Sequence, residues 1–294
     1  MTTHPGRVSA QEAITHVLGY PGAMELFARL GTEAVSAEPI TTRRPEGSQA
    51  FAYRVELADG LMVKLRRPEH PERAARAQRL LERFADPRLA VVILREGDLV
   101  VEEWIEGTPL AGETPRPEHV AGAAAFLAAL HRARVDGVPA GSVMAPAELR
   151  DATCSRIEGL RRLALLTVAE GGALSGAVQR LAPAVAATAI THNDLCGDNL
   201  VVDAAGEVRV VDTESVRLGF VDFDFARTWY RWRLEPAAWE HFLARYATEG
   251  GRRPDAKTFG FWKIAVAAKS AVEHLGAAPE RRAQALARLR ELTG

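Results

Sequence analysis

The sequence predicts an α+β fold in two parts, a small sheet-rich N-terminal part and a larger, mostly helical C-terminal part. Strand-like segments are concentrated before residue 105, and helix-like periodicity dominates from Pro115 onward. The region 106–117 between them is rich in Gly, Pro and Thr, a composition typical of a linker. We therefore expect residues 1–105 and 106–294 to form the two parts.

The N-terminal part is predicted to begin with helices and to continue as a sheet. Ser9 and Glu12 have the spacing of a capping box, which indicates a helix start, and a second short helix is predicted over 23–30. The pair Asp59-Gly60 is a typical hairpin turn. Strands are predicted over 51–57, 61–65, 89–94 and 99–105, with a charged helix over 71–84.

The C-terminal part is predicted to be helical with one interruption. Between residues 189 and 213, the apolar stretches Asn199–Val202 and Val208–Val211 flank Ala204-Ala205-Gly206, which is the pattern of a β-hairpin. Helices are predicted over 117–133, 146–168, 173–187, 235–248, 256–275 and 279–292.

Composition argues against several classes of partner. The formal net charge of the 294 residues is −1, so we expect no binding to a nucleic-acid backbone. The N-terminus has no apolar signal-peptide core and the longest apolar run, 121–130, is half of a membrane span, so we expect no membrane association. The two cysteines, Cys154 and Cys196, form no dense framework, which favours a reducing, cytoplasmic location.

One short segment, 191–212, concentrates acidic and amide side chains around the predicted hairpin. Phosphoryl transfer needs magnesium to offset the phosphate charge and a carboxylate to accept the proton of the acceptor hydroxyl. Magnesium prefers hard oxygen ligands. Asp194 and Asn199, five residues apart at the mouth of the hairpin, and Asp212 at its end can supply both functions.

These residues resemble a known set of motifs. His192-Asn193-Asp194 with Asn199 resembles the catalytic loop H-x-D-x-x-x-x-N of protein-kinase-like enzymes. Asp212-Thr213-Glu214 is similar to the D-x-E/D motif of the aminoglycoside phosphotransferase (APH) family. Asp224-Phe225-Ala226 and Leu130-His131 resemble two further elements of that family. The resemblance extends from about residue 39 to about residue 232.

The resemblance implies a bilobal protein-kinase-like fold with ATP between the lobes. It implies that Asp194 is the catalytic base, that Asn199 and Asp212 hold Mg²⁺, and that Asp198 and Glu214 lie near the substrate, with Glu214 also near the metal. The family usually has Gly at the position of Asn193 and often His at that of Cys196. Neither departure removes the base or a metal ligand, so we expect an active enzyme. We favour Cys196 as a small buried filler over a reactive thiol.

The same resemblance places nucleotide binding in the N-terminal part. Lys64 resembles the strand lysine that contacts the α- and β-phosphates, although a lone strand lysine is more often a solvated charge. Gly47, Ser48 and Gln49 resemble the family's nucleotide loop. Glu103, Trp104 and Ile105 resemble the hinge that holds adenine, the alternative being a buried edge strand. The helix over 71–84 should supply a glutamate to Lys64, for which Glu72 and Glu82 are candidates.

The acceptor is predicted to be a small molecule, because about ten residues separate Asp212 from the helix signal near Asp222 and no A-P-E motif occurs. Residues 225–294 contain 13 Lys and Arg against 7 Asp and Glu, so a polycationic aminoglycoside is not the obvious acceptor. Trp229 and Arg231 either line an acceptor pocket or, as we favour, belong to a helix with an aromatic core face and extended arginines.

Four functional alternatives follow from the sequence, and two of them are disfavoured. In the first, the enzyme phosphorylates a hydroxyl of an antibiotic or other natural product and thereby inactivates it. In the second, the acceptor is a metabolite such as a sugar or amino alcohol. A protein or lipid-precursor kinase is disfavoured by the short segment after Asp212. A catalytically inactive nucleotide-binding regulator would have lost Asp194, Asn199 or Asp212, and all three are present.

Overall fold

The computed structural model describes residues 19, 22–40, 51–112, 114–134 and 143–293. The predicted capping box at Ser9 and the loop residues Gly47, Ser48 and Gln49 lie outside these residues. The chain forms two compact units, and the first is built from the described residues within Met1–Gln78, Asp86–Thr108 and Val201–Glu214. None of the described helices is both long and apolar enough to cross a membrane.

The first unit contains a five-stranded antiparallel sheet with the strand order β1-β2-β3-β5-β4. Its elements are α1 (Ala23–Leu30), β1 (Ala34–Pro39), β2 (Phe51–Leu57), β3 (Met62–Arg67), α2 (Pro71–Leu81), β4 (Val92–Glu96) and β5 (Leu99–Glu103).

Alternation along β3 determines which side chains face the core of this unit. Val63 and Leu65 are fully buried in an apolar cluster that also contains Leu26 of α1. Lys64 and Arg66 therefore share the opposite face of the strand. The turn between β2 and β3 uses Gly60 at φ +84°, a conformation that glycine adopts without strain, as the Asp-Gly pair predicted.

The second unit is mostly helical and is built from Arg79–Ala85, Pro109–Leu200 and described residues within Ser215–Gly294. Its core is formed around the apolar helix α8, where Trp262 and Ala265 are fully buried. Its helices are α3 (Pro117–Arg132), α4 (Pro146–Arg162), α5 (Val168–Leu181), α6 (Val221–Arg231), α7 (Pro236–Thr248), α8 (Phe259–Glu273) and α9 (Pro279–Arg290).

The remaining strands are short, and they flank the catalytic-loop motif. β7 (Thr188–Thr191) pairs antiparallel with β10 (Arg217–Phe220). A third sheet has the order β6 (Thr108–Pro109), β8 (Leu200–Val202), β9 (Val208–Val210). The predicted hairpin is confirmed, because β8 and β9 are joined by a turn in which Asp203 accepts hydrogen bonds from the backbone of Ala205 and Glu207.

Two of the predicted helices have different limits in the structure. The helix predicted over 146–168 ends at Arg162, and Ala164 follows at φ +55°. A new helix then begins after Thr167, whose hydroxyl accepts a hydrogen bond from the backbone of Glu170 in a capping box. The helix predicted over 173–187 is this element, Val168–Leu181. The continuous apolar pattern concealed the chain reversal.

The chain segments of the two units are interleaved in sequence. Val201–Glu214 belongs to the first unit, although a single division of the sequence at residue 105 assigns it to the C-terminal part. As a consequence, the predicted base Asp194 and the predicted metal ligand Asn199 belong to the second unit. Asp212 and Glu214 are described with the first.

Candidate active site

The backbone of the loop that carries Asp194 is hydrogen-bonded to a buried carboxylate. Asp224, near the start of α6, is fully buried and accepts hydrogen bonds from the backbone N–H groups of His192 (2.6 Å) and Asn193 (2.7 Å). Its Oδ2 also lies 3.1 Å from Nε2 of His131. Burial alone would raise the pKa of Asp224, but the hydrogen bond and charge of His131 and the contact with His192 outweigh it, so this pKa is lowered.

The backbone turns sharply at Asn193, in the middle of the loop motif. Asn193 has φ +62°, in the left-handed region where Gly is favoured and Asn is one of the better-tolerated side chains. Its amide donates to Oγ1 of Thr191 at 2.6 Å, and its Oδ1 accepts from Arg217 at 3.1 Å. Asn193 therefore replaces the usual glycine by adding side-chain hydrogen bonds that hold the strained turn.

Asp194 is held from several directions by donors of the second unit. Its side chain is 17% exposed, and its Oδ1 lies 3.1 Å from Arg227 and 3.4 Å from Arg231. Its Oδ2 accepts a hydrogen bond from Asn199 at 3.2 Å. Its backbone N–H donates to Nδ1 of His192 at 3.2 Å. The carboxylate is thus oriented while it keeps partial access to solvent.

Arg227 and Arg231 reach the same carboxylate because they are four residues apart, on one face of α6. Arg227 also donates to the carbonyl oxygen of Asn193 at 2.9 Å, so it holds both the loop and the carboxylate. Arg227 begins the basic and aromatic cluster that contains Trp229 and Arg231, but the sequence did not predict its contact with Asp194. The available signal was its spacing from Arg231 within the helix signal near Asp222.

Arg231 contacts a second predicted substrate residue. Its guanidinium lies 3.5 Å from Asp198 and 3.6 Å from Sγ of Cys196. Burial by itself would lower the pKa of Arg231. The negative charges of Asp194 and Asp198, together with Cys196, outweigh this effect, so the pKa of Arg231 is raised. Cys196 is buried, and burial raises the pKa of its thiol, so its environment is that of a buried filler rather than a thiolate nucleophile.

Asn199 ends a short 3₁₀ turn, Gly197–Asn199, and is oriented through its amide nitrogen. Nδ2 donates to the carbonyl oxygen of Asp194 (2.7 Å) and to its carboxylate (3.2 Å). Both hydrogen bonds of Nδ2 go to Asp194, and within the described part of the chain Oδ1 of Asn199 has no hydrogen-bond partner. The amide oxygen is therefore available as a ligand.

Trp229 and Arg231, for which a pocket wall was the less favoured of two interpretations, have different surroundings. Residues two apart on a helix point to nearly opposite sides. Whereas Arg231 lies beside Asp194, the ring of Trp229 has the guanidinium of Arg288 at 4.2 Å and the ammonium of Lys263 at 4.7 Å. The structure brings Arg231, but not Trp229, to the catalytic loop.

In the first unit, Lys64 is paired with a buried carboxylate on the neighbouring strand. Strand register places Lys64 directly opposite Glu102, and its Nζ lies 3.6 Å from Oε2 of Glu102. A glutamate of the following helix was expected here, with Glu72 and Glu82 as candidates between which the sequence did not decide, and the structure pairs Lys64 with Glu102 instead. The partner is set by cross-strand register, which helix periodicity does not reveal.

Asp212 and Glu214 follow β9 and differ in their surroundings. Asp212 is exposed, has φ +56°, and its side chain makes no hydrogen bond or ion pair with a described residue. Glu214 pairs with Arg66 at 3.1 Å. Burial and the nearby charge of Asp212 raise the pKa of Glu214 despite that pairing. The more accessible carboxylate is therefore that of Asp212.

The side chains of the predicted hinge residues make contacts within the protein, whereas some of their backbone groups have no hydrogen-bond partner. The carboxylate of Glu103 lies 3.3 Å from Arg209, and the ring of Trp104 lies 5.3 Å from the guanidinium carbon of Arg54. Ile105 is buried. The backbone of Trp104 and Ile105 forms no hydrogen bond with any described residue, so these N–H and C=O groups remain available for a ligand.

The oxygen donors fit magnesium. The described residues contain no cluster of three or more His, Cys, Asp or Glu side chains suited to a metal. The amide oxygen of Asn199 and the carboxylate of Asp212 are hard oxygen donors, and magnesium is typically held by one or two carboxylates together with substrate phosphates and water. Each of the two oxygens, taken by itself, is of the kind that magnesium accepts in this mode.

The structure combines an antiparallel sheet that carries a paired lysine with a helical unit that carries H-x-D-x-x-x-x-N. This combination is that of a kinase-like phosphotransferase, and the predicted fold class is confirmed. A profile described as the phosphotransferase enzyme family, APH, matches residues 41–261. The chain belongs to this family, as its motifs predicted, and its class is that of small-molecule kinases.

Solved structures share the fold at low sequence identity. A macrolide 2'-phosphotransferase type I is 18% identical with a TM-score of 0.69, covering 97% of this chain and 98% of its own. Choline kinase LicA from Streptococcus pneumoniae is 15% identical with a TM-score of 0.64, covering 89% and 94%. A spectinomycin phosphotransferase in complex with ADP and spectinomycin is 12% identical with a TM-score of 0.61, covering 98% and 95%. No curated protein sequence matches the chain.

Proposed function

We propose that this protein transfers the γ-phosphoryl group of ATP to a hydroxyl group of a small molecule, with Asp194 as the catalytic base. The observation that carries this proposal is the arrangement of Asp194 and Asn199. The amide nitrogen of Asn199 donates to the carbonyl oxygen and to the carboxylate of Asp194, which orients the carboxylate and leaves the amide oxygen available. Base and metal ligand are thus held by the same contact.

Asp194 accepts the proton of the acceptor hydroxyl as the new oxygen–phosphorus bond forms and the bond from the γ-phosphorus to ADP breaks. Arg227 fixes the carboxylate and the loop carbonyl of Asn193 together. His192 and Asp224 hold the loop backbone rather than react. Each of these contacts reduces the motion of the base relative to its own loop.

We assign the nucleotide to residues of the first unit. Lys64 contacts the phosphates, and the free backbone groups of Trp104 and Ile105 bind adenine, with Gly47, Ser48 and Gln49 as the predicted phosphate loop. Asn199 and Asp212 would hold Mg²⁺. When bound, magnesium offsets the charge of the transferred phosphoryl group.

The charges around Asp194 favour a neutral or anionic acceptor. Arg227 and Arg231 contact the carboxylate directly. The pKa of Lys269 is lowered by burial and also by the nearby charges of Arg227 and Arg217, against the opposing effect of Glu273. Together with Arg217, which donates to Asn193, three arginines contact the loop, an unfavourable setting for a polycation such as an aminoglycoside. An uncharged antibiotic or natural-product hydroxyl, inactivated by phosphorylation, fits this setting.

A metabolite kinase is the second candidate within the same chemistry. A sugar would be accepted by the same base and metal ligands, whereas an amino alcohol carries a positive charge that Arg227 and Arg231 would repel. A nucleotide-binding regulator without activity would need no base oriented as Asp194 is. We therefore rank a sugar hydroxyl above an amino alcohol as the metabolite acceptor.

A pooled acceptor screen tests the proposal. The protein is incubated with ATP and MgCl₂ and with neutral antibiotics, sugars, sugar acids, aminoglycosides and amino alcohols, and products are identified by mass spectrometry as a gain of one phosphate. We expect adducts among the neutral or anionic compounds. Adducts confined to aminoglycosides or amino alcohols would overturn the charge argument, and absence of ADP binding would overturn the kinase assignment.

A further inference from the structure

A row of charged side chains in the first unit, with the buried Arg66 and Glu102 at its centre, connects the strand lysine with the segment that carries Asp212. Lys64 and Arg66 lie on the same face of β3, and Glu102 lies opposite Lys64 on β5. Glu214, two residues after Asp212, completes the row. Opposite charges alternate along it, so each side chain has an oppositely charged neighbour.

Glu102 divides its two oxygens between the two cations. Oε2 faces the ammonium of Lys64 at 3.6 Å, whereas Oε1 accepts hydrogen bonds from Nε (2.8 Å) and Nη2 (2.6 Å) of Arg66. Despite the cost of burial, the pKa of Glu102 is lowered by Arg66 and Lys64, so the carboxylate is ionised. Both cations are therefore held by one fixed anion.

The remaining nitrogen of Arg66 extends the row to the segment after β9. Nη1 donates to Oε2 of Glu214 at 3.1 Å, and the side chain of Arg66 is 9% exposed. Only a guanidinium presents donors in a fork that can bridge two carboxylates in this way. A buried arginine is tolerated when it is fully paired, and the pairing here joins two different parts of the unit.

Asp212, two residues before Glu214, has no such ion pair with a described residue. Asp212 is in the left-handed region at φ +56°, and its carboxylate has no partner among the described residues. A non-glycine residue in this conformation persists when surrounding contacts impose it. The pairing of Glu214 with Arg66, two residues away, is the contact that can impose it.

We propose that Arg66 is a positioning residue that sets the place of Lys64 through Glu102 and the place of Asp212 through Glu214. This inference rests on the proposed function, in which Lys64 contacts phosphate and Asp212 binds Mg²⁺. Arg66 itself touches neither ligand. Its positive charge also interacts with the charge of Asp212. Its contact with the segment that carries Asp212 is made through Glu214, and its effect on the lysine passes through Glu102.

Calorimetry on the full chain tests this role without using turnover. MgCl₂ is titrated into protein saturated with ADP, and ADP is titrated separately in the presence of EDTA. For Glu214→Gln we expect the apparent Kd of Mg²⁺ to rise about 10-fold, the size of effect that follows when a group outside the ligand shell no longer supports the position of a metal ligand. The metal-free affinity for ADP should change by less than about twofold, because Lys64 and Glu102 are left in place.

Arg66 variants supply the second arm. Arg66→Gln should weaken both Mg²⁺ binding and metal-free ADP binding, because it releases both carboxylates, and Arg66→Lys should restore the charge but not the bridge. In the double variant Arg66→Gln/Glu214→Gln, the loss of Mg²⁺ affinity should not exceed that of Arg66→Gln alone. If the Arg66 variants do not fold, Glu214→Gln carries the test, because its side chain is 36% exposed.

Arg29→Gln is the matched control, because Arg29 forms an exposed ion pair with Glu96 in the same unit. It should alter neither titration. An unchanged Mg²⁺ affinity in Glu214→Gln, with ADP binding intact, would overturn the role of Arg66, and so would additive losses in the double variant. Absence of ADP binding in the unsubstituted protein would instead overturn the proposed function on which the inference rests.

Discussion

The side-chain nitrogen of Asn199 lies 2.7 Å from the carbonyl oxygen of Asp194 and 3.2 Å from its carboxylate. The contact joins the predicted base to a predicted metal ligand five residues further along the chain. It also separates the functions of the amide, because the nitrogen orients the base and the oxygen remains free. Substitutions at Asn199 should therefore affect metal binding and turnover differently.

Asn199→Asp should keep Mg²⁺ affinity within about tenfold, because a carboxylate oxygen is also a hard ligand. Turnover should fall about 100-fold or more, because the two N–H donors are lost and a second negative charge is placed beside Asp194. Asn199→Ala should lose both properties. Calorimetric Mg²⁺ titration and steady-state ADP release measure the two effects. Equal losses of Mg²⁺ affinity in Asn199→Asp and Asn199→Ala would contradict the separate functions of the amide nitrogen and the amide oxygen.

Arg227→Gln should lower kcat about 10- to 100-fold with little change in KM for ATP, because a displaced base impairs the chemical step rather than nucleotide binding. Arg227 donates to both the loop carbonyl of Asn193 and the carboxylate of Asp194. Arg233→Gln, an exposed arginine beyond the end of α6, is the control. A rise in KM for ATP with unchanged kcat would show that Arg227 does not act through Asp194.

Asn193→Gly should be more stable than Asn193→Ala by about 1 kcal/mol, because alanine in the left-handed region is strained and glycine is not. Both variants lose the hydrogen bonds to Thr191 and Arg217, so this comparison isolates the backbone conformation. Urea unfolding followed by circular dichroism measures the difference. Equal stabilities would mean that the turn relaxes in the variants.

Asp224 should make the stability of the protein sensitive to acid. Its pKa is lower in the folded state than the ordinary value of about 3.9, so the stabilisation is fully present above that value and is lost as the pH falls through the folded-state pKa. Asp224→Asn should therefore be less stable at pH 7 by about 3 kcal/mol, and its deficit should shrink below pH 4. Unfolding curves for the two proteins between pH 7 and pH 2 test this. A deficit that stays constant across that range would contradict the assignment.

The sequence predicted the elements whose signals are local. The hairpin at residues 200–210 was recognisable from a turn between two short apolar stretches, and α3 from a long apolar periodicity that follows Pro117. The catalytic-loop motif was recognisable for the same reason, because Asp194 and Asn199 lie within one short segment. Local spacing was enough to identify the family, which the match over residues 41–261 confirms.

The contacts that the sequence did not predict depend on distant pairing. β7 and β10 have four residues each, and their pairing joins segments that are more than twenty residues apart. The Lys64–Glu102 pair follows from strand register across 38 positions, and the Arg66–Glu214 pair joins residues 148 positions apart. Side chains of this kind show no periodicity, so propensity and spacing could not have found them.

The central claim is that Asp194 accepts the proton of a small-molecule hydroxyl during transfer from ATP. The most direct test compares the unsubstituted protein with Asp194→Asn in the acceptor screen, with ADP and Mg²⁺ binding measured on the same samples. We predict that the phosphate adduct found with the unsubstituted protein falls by about 10²- to 10⁴-fold in the variant while ADP binding is retained. An Asp194→Asn protein that forms the adduct at the unsubstituted rate would contradict the claim.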